Sequence, residues 1–121
     1  MADLLRFEVP EKLLIEQLSL VEKAKKKGKI RIGVNEATKA IERGTAKLVI
    51  IAQDVDPVEV VMHLPLLCKE KNIPCTAVRT KKELGEKAGI AVGTAAVAII
   101  DEGDAKKELQ EIVKNVLELA K

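Results

Sequence analysis

The chain has 121 residues, 47% of them hydrophobic, the size and apolar content of one compact domain over residues 1–121 with one core. Charged residues make up 33% but nearly cancel to a formal +2, and the sequence pI of about 8.5 falls short of the value above about 9 that by itself marks a nucleic-acid binder. With no Trp, no Tyr and a single Phe, Phe7, the chain lacks the aromatic platforms on which single-stranded bases stack, so any nucleic acid must be read by base edges and shape.

Along the chain, residues 10–27 place Leu14, Leu18, Val21 and Ala24 at helical spacing with Ile15 beside them, and Gly28 ends this helix. Its end overlaps "KAKKKGKIR", six basic residues in nine. That run reads either as lysines complementing the negative end of a helix or as a patch that attracts phosphate. "KIRIGV" is a short strand and "NEATKAIER" a helix closed by Gly44. "KLVIIAQ", an unbroken apolar run between polar residues, predicts a strand buried on both faces. Asp56, Pro57 and Glu59 supply a cap, a first-position proline and a capping-box acid for a helix reaching about Lys71. Pro65 lies inside that helix and predicts a kink or a restart. "PCTAVR" is the third strand, "KKELGEKAG" a fourth helix and "AAVAII" the last strand. A final amphipathic helix covers residues 105–121 with Leu109, Ile112, Val113, Val116 and Leu117 inward. Strands alternating with helices predict an α/β fold, a three-layer α/β/α sandwich around a central sheet of about four strands.

Several chemistries find no support in the spacing. His63, the one histidine, sits in "VVMHLPLL" and reads as a partly buried helix residue rather than a base or metal ligand. Cys68 and Cys75 are separated by six residues, with no zinc-ligand or redox spacing, and read as small core residues of a reduced, intracellular protein. Neither a dinucleotide fingerprint nor a P-loop is present, and no metal or cofactor is implied. The apolar run at residues 88–100 is too short for the ~20 residues of a membrane span, and "MADLLRFEVPEK" has no secretory pattern. The expectation is a cytoplasmic protein with no membrane contact.

The second helix carries the most informative face. At about 100° per residue, with Asn35 at zero, Lys39 falls near 40°, Arg43 near 80° and Glu36 near 100°, all in one arc. Ala37, Ala40 and Ile41 lie opposite and can rest on the sheet. One interpretation is helix punctuation, with Asn35 as N-cap, Glu36 at the positive start and Arg43 at the end. The other treats the arc as hydrogen-bonding heads of different type. Phosphates only accept, so a phosphate-gripping surface has no use for Glu36. A guanine whose N1 and N2 hydrogens are not engaged in Watson–Crick pairing can give both to a carboxylate, while its O6 and N7 take donors from Lys or Asn.

The motifs "GVNEATKAIERG", "IIAQDVDPVEVVMHLPLLCKEKNIP", "VRTKKELGEKAGIAVG" and "AAVAII", in this order, resemble the ribosomal protein L-seven-Ae family of archaeal kink-turn RNA-binding proteins, from about Val9 to the last strand. The resemblance implies the same three-layer fold and a non-enzymatic role: binding kink-turns, sharply bent RNA internal loops with tandem sheared G·A pairs. It implies as partners ribosomal RNA, the box C/D and H/ACA guide RNAs for 2′-O-methylation and pseudouridylation, ribonuclease P RNA, and proteins that assemble on guide particles, with the free chain a monomer. By motif, Asn35, Glu36 and Lys39 match the residues that meet the guanine edges of the sheared pairs. Arg43 matches a backbone-contacting position, and Gly33 would let the strand end approach RNA closely.

By the same resemblance, Ile90, Ala91 and Val92 form an exposed loop against the unpaired nucleotides of the bulge; on composition alone "AGIAVG" also reads as the buried start of the last strand. Asp56, Val60 and Lys81 match the residues around an extruded nucleotide, although Asp56 also reads as a cap and Val60 as core. By the resemblance, the chain departs from the family at Gln53, where many relatives carry an acid. From another class, the alternative is a small nucleotide- or magnesium-binding enzyme using Asp54 and Asp56 beyond a strand's carboxyl end.

Overall fold

The computed structural model describes residues 9–119. Phe7 and the last two residues of the expected final helix lie outside them. In chain order the elements are α1 Glu11–Lys27, β1 Lys29–Ile32, α2 Val34–Glu42, β2 Leu48–Ala52, a 3-10 turn Val58–Val60, α3 His63–Lys71, β3 Cys75–Val78, α4 Lys81–Ala88, β4 Ala96–Asp101 and α5 Lys106–Leu119.

All five residues of β2 are buried, as its unbroken apolar run predicts, because helices cover both faces of the sheet. Successive strand side chains point to opposite faces, and the core divides accordingly. Leu48, Ile50 and Ala52 pack with α1, α4 and α5, whereas Val49 and Ile51 pack with α2 and α3. The result is a three-layer α/β/α arrangement on a four-stranded sheet of order β1-β4-β2-β3. β4 runs antiparallel to β1 and β2, and β3 runs parallel to β2. β1 and β3, four residues each, form the edges.

Three sequence expectations change in the helices α3 and α5 and the turn before α3. The helix expected from Asp56 to Lys71 is two pieces, and Asp56 caps neither: Pro57, extended at φ −73° and ψ 150°, precedes the 3-10 turn with no side-chain cap. α3 restarts at His63, which puts Pro65 in a first turn, where its missing N–H has no intrahelical acceptor to lose. Leu117 is 52% exposed; eight residues after Leu109 it falls about 80° from that residue, at the margin of the buried stripe. His63 is exposed, not partly buried.

Gln17 is fully buried in α1, inside a window that reads as an ordinary amphipathic helix. Its Nε2 donates to the Ala77 carbonyl at 2.8 Å, and its Oε1 accepts from the Thr76 hydroxyl at 2.6 Å. The amide thus ties α1 to β3 and occupies a backbone acceptor on that edge. At the end of the sheet where β2 begins, Lys47 Nζ meets Glu102 Oε2 at 2.8 Å. This hydrogen bond holds the Glu102 carboxyl below the usual glutamate range and raises the Lys47 ammonium.

Gln17→Leu leaves the Thr76 hydroxyl and the Ala77 carbonyl unpaired in the interior, and should lower unfolding free energy by about 1–3 kcal/mol in urea titrations followed by circular dichroism. The depressed Glu102 value means that its contribution is present above the ordinary glutamate pKa of about 4.3 and is lost as pH falls through the lower folded value. Lys47→Met should remove that part of the acid-side loss. Because Lys47 is half exposed, the difference between the two proteins should stay below about 1 kcal/mol, read from urea midpoints at neutral and acid pH.

Candidate nucleic-acid interface

The antiparallel run of β4 brings four segments to one end of the sheet. Ile32 pairs with Val97, Ile51 with Ala96 and Ala52 with Val78, so the chain leaving β1, β2 and β3 meets the chain entering β4. Backbone bonds continue past the strands: Gly33 N donates to Ala96 O at 2.8 Å, Ala52 N to Ala95 O at 2.9 Å, Gln53 N to Val78 O at 2.9 Å and Thr94 N to Lys81 O at 3.0 Å. Three strand spacings of about 4.8 Å set Gly33 and the start of α4 roughly 14 Å apart along this rim.

Gly33 makes the turn from β1 into α2 at φ 101°, a conformation that side chains with a Cβ rarely adopt. A Cβ there would meet nothing within 4 Å, so torsion and not crowding calls for glycine, and the space outside is open to an approaching ligand. The turn also moves the helix start. α2 begins at Val34 with Gly33 as N-cap and no side-chain capping bond, so Asn35 is not the cap expected from sequence but the second helical residue. The N–H groups of an α-helix's first turn lack intrahelical partners and remain as donors beside it.

Asn35, Glu36, Lys39 and Arg43 are all exposed, whereas Ala37, Ala40 and Ile41 are buried. None of the ion pairs among the described residues uses Glu36, Lys39 or Arg43. The arc therefore presents an amide, a carboxylate, an ammonium and a guanidinium to solvent. Thr38 flanks it: its hydroxyl donates to Val34 O at 2.8 Å, so His63 Nε2, 2.9 Å away, donates to the hydroxyl oxygen and ties α3 to α2.

Further along the rim, Asp56 and Lys81 are exposed and Val60 is 44% exposed. The core reading of Val60 fails because the 3-10 turn takes the place of the helix that would have turned it inward. Residues 53–59 line a shallow cavity of about 480 Å³. Asp54 Oδ1 accepts the Lys81 N–H at 2.8 Å. Among the described residues no group of three or more His, Cys, Asp or Glu side chains could hold a metal ion. Residues 90–93 are a loop and not the start of β4, which begins at Ala96. Ile90 is half-buried, Ala91 is exposed and Val92 is 72% exposed.

The basic run lies elsewhere. Lys25, Lys26 and Lys27 occupy the last turn of α1, at the end of β1 opposite Gly33, and Lys23 pairs with Glu108 at 3.0 Å. Sequence spacing also missed that the thiols are neighbours. A hydrogen bond with Cys68, then burial, pushes Cys75 well above the usual thiol value, which favours the protonated thiol over the thiolate.

A family model described as the ribosomal protein L7Ae/L30e/S12e/Gadd45 family matches residues 16–109. The chain belongs to this family. A solved structure titled a 15.5kD RNA binding protein of Giardia lamblia is 38% identical, with a TM-score of 0.90 over 98% of this chain and 99% of that one. The family likeness extends through β2 and β4, so it includes the strands that carry the rim. No helix among the described residues is long and apolar enough to cross a membrane.

Gly85 explains how the loop at residues 90–93 is seated. A Cβ on this buried α4 residue would overlap the Val92 carbonyl oxygen and lie 2.9 Å from the Gly93 Cα. The loop thus rests directly on the helix backbone. Gly85→Ala should force the two apart, at a stability loss of about 1–3 kcal/mol by overpacking, with NMR amide shifts concentrated in residues 90–94; unchanged spectra there would contradict the seating.

Proposed function

We propose that this chain binds RNA kink-turns through the α2 arc and the neighbouring rim, in ribosomal RNA of the large subunit, in box C/D and H/ACA guide RNAs and in ribonuclease P RNA, where further proteins assemble on the guide-RNA complex. The reading rests on one observation: Glu36 is exposed, is unpaired among the described ion pairs, and lies among donors on a helix that uses no side-chain cap. A surface made only for phosphate would place cations there.

Sheared G·A pairing frees the guanine Watson–Crick edge. Glu36 can accept its N1–H and N2–H, while Asn35 and Lys39 donate to O6 and N7. Arg43, one turn further along the arc, reaches the backbone. Ile90, Ala91 and Val92 supply an apolar surface for unpaired bases, and Asp56, Val60 and Lys81 border the place for an extruded nucleotide. The carboxylate also disfavours an ordinary duplex, whose edges are occupied and whose phosphates repel it. The family membership and the 38% identical RNA-binding protein support this reading. The residues 1–121 act in it as one RNA-binding domain, monomeric when free.

The test is a gel-shift comparison of a kink-turn RNA with a copy whose G·A pairs are replaced by Watson–Crick pairs. Wild-type protein should bind the first far more tightly, and equal affinity would reject edge reading. Glu36→Ala should keep its helicity and lose about 1–3 kcal/mol of discrimination between the two. Arg43→Ala should weaken both alike, since phosphate contacts carry no sequence information, and Lys27→Ala, at the opposite end of β1, should change neither.

A further inference from the structure

The rim has two halves: the α2 arc at β1, and the start of α4 with the apolar loop at β3 and β4. The second half is held together by a side chain that the RNA reading does not use. Asp54 follows β2, and its Oδ1 accepts the N–H of Lys81, 27 residues away, at 2.8 Å. That N–H belongs to the first residue of α4, a position that has no acceptor within its own helix. Thr80 supplies the local cap, its hydroxyl accepting from Glu83 N at 3.1 Å. Asp54 supplies a second from another loop, with a negative charge at the positive helix end.

The connection continues into the loop. Lys81 O accepts Thr94 N at 3.0 Å, and the buried Thr94 donates its hydroxyl to Ala96 O at 3.1 Å, at the first residue of β4. A Cβ at Gly93 would sit 3.0 Å from Lys81 Cγ and 3.1 Å from Lys81 O. With Gly85 against Val92 as well, the loop lies flat on the first two turns of α4. A shift of the first turn must carry the loop with it.

We infer that Asp54 is a positioning residue: by fixing the Lys81 N–H it sets the start of α4, and through Lys81 and Thr94 the apolar loop, in the place where they meet unpaired nucleotides, without itself touching RNA. This rests on the kink-turn reading above. The acceptor oxygen does the positioning, and the charge adds strength to the bond. Asn in place of Asp keeps an acceptor of the same reach, whereas Ala leaves Lys81 N–H to water.

The experiment compares three RNAs: a kink-turn, the same RNA with abasic spacers in place of the unpaired bulge bases, and the copy with Watson–Crick pairs for the G·A pairs. Wild-type protein should prefer the first over both others. In Asp54→Ala the preference for the intact bulge should fall by about tenfold, while the preference for sheared pairs persists and amide exchange at Lys81 and Thr94 of the free protein quickens. Asp54→Asn should behave as wild type in all of these. An Ala variant that keeps its bulge preference overturns the role of Asp54 alone, and so does an Asn variant as impaired as Ala, since charge would then be what matters. Should wild-type protein bind sheared and Watson–Crick copies equally, the kink-turn reading falls and takes this inference with it.

Discussion

One backbone torsion decides how the polar face of α2 is presented. With φ at 101°, Gly33 turns the chain out of β1 so sharply that the helix starts at the next residue. Had Asn35 been the cap, its side-chain oxygen would have been consumed on the helix's own N–H groups; Glu36 lies in the first turn either way. As it stands, the glycine's carbonyl accepts from Ala37 at 2.9 Å and its N–H is anchored on β4 at 2.8 Å. Backbone bonds alone fix the start of the helix, and four polar side chains are left facing solvent.

The same end of the sheet gathers the other segments of the candidate interface for a topological reason. In an all-parallel sheet, the segment preceding the last strand would lie at the far side. β4 is antiparallel to both neighbours, so the loop at residues 90–95 enters where the other strands leave. Donors, an acceptor and an apolar patch then share one rim with no long loop needed to bring them together. Glycines at 85 and 93 let the apolar part lie close to α4, a contact that any larger residue would disturb.

Much of this was legible in the sequence, because the signals were periodic. The buried strand Leu48–Ala52, the order of helices and strands, and the family all followed from apolar runs and ordered motifs. Failures came where a decision is made by one torsion or one distant partner. The capping sequence at Asp56 is persuasive locally, yet the chain forms a 3-10 turn there and starts α3 later. Gln17 is invisible to a helical pattern because its partners, Thr76 and Ala77, lie about 60 residues on. For the candidate interface, the arc from Asn35 to Arg43 could be drawn from spacing, but that nothing caps α2 through a side chain could not. The two interpretations of residues 88–93 were equally compatible with composition, and what separates them is the start of β4 at Ala96 together with the exposure of Ala91 and Val92.

The sheet remains open, and its two margins are each only four residues long. Lys29 and Arg31 project to solvent from one of them, and Gln17 occupies a carbonyl on the other. Neither margin offers the long, uncharged template that strand addition from a second molecule requires. The exposed Val92 and Leu66 sit on a loop and on α3, away from both margins, so neither adds an apolar side chain to a ribbon along which strands could propagate into fibres.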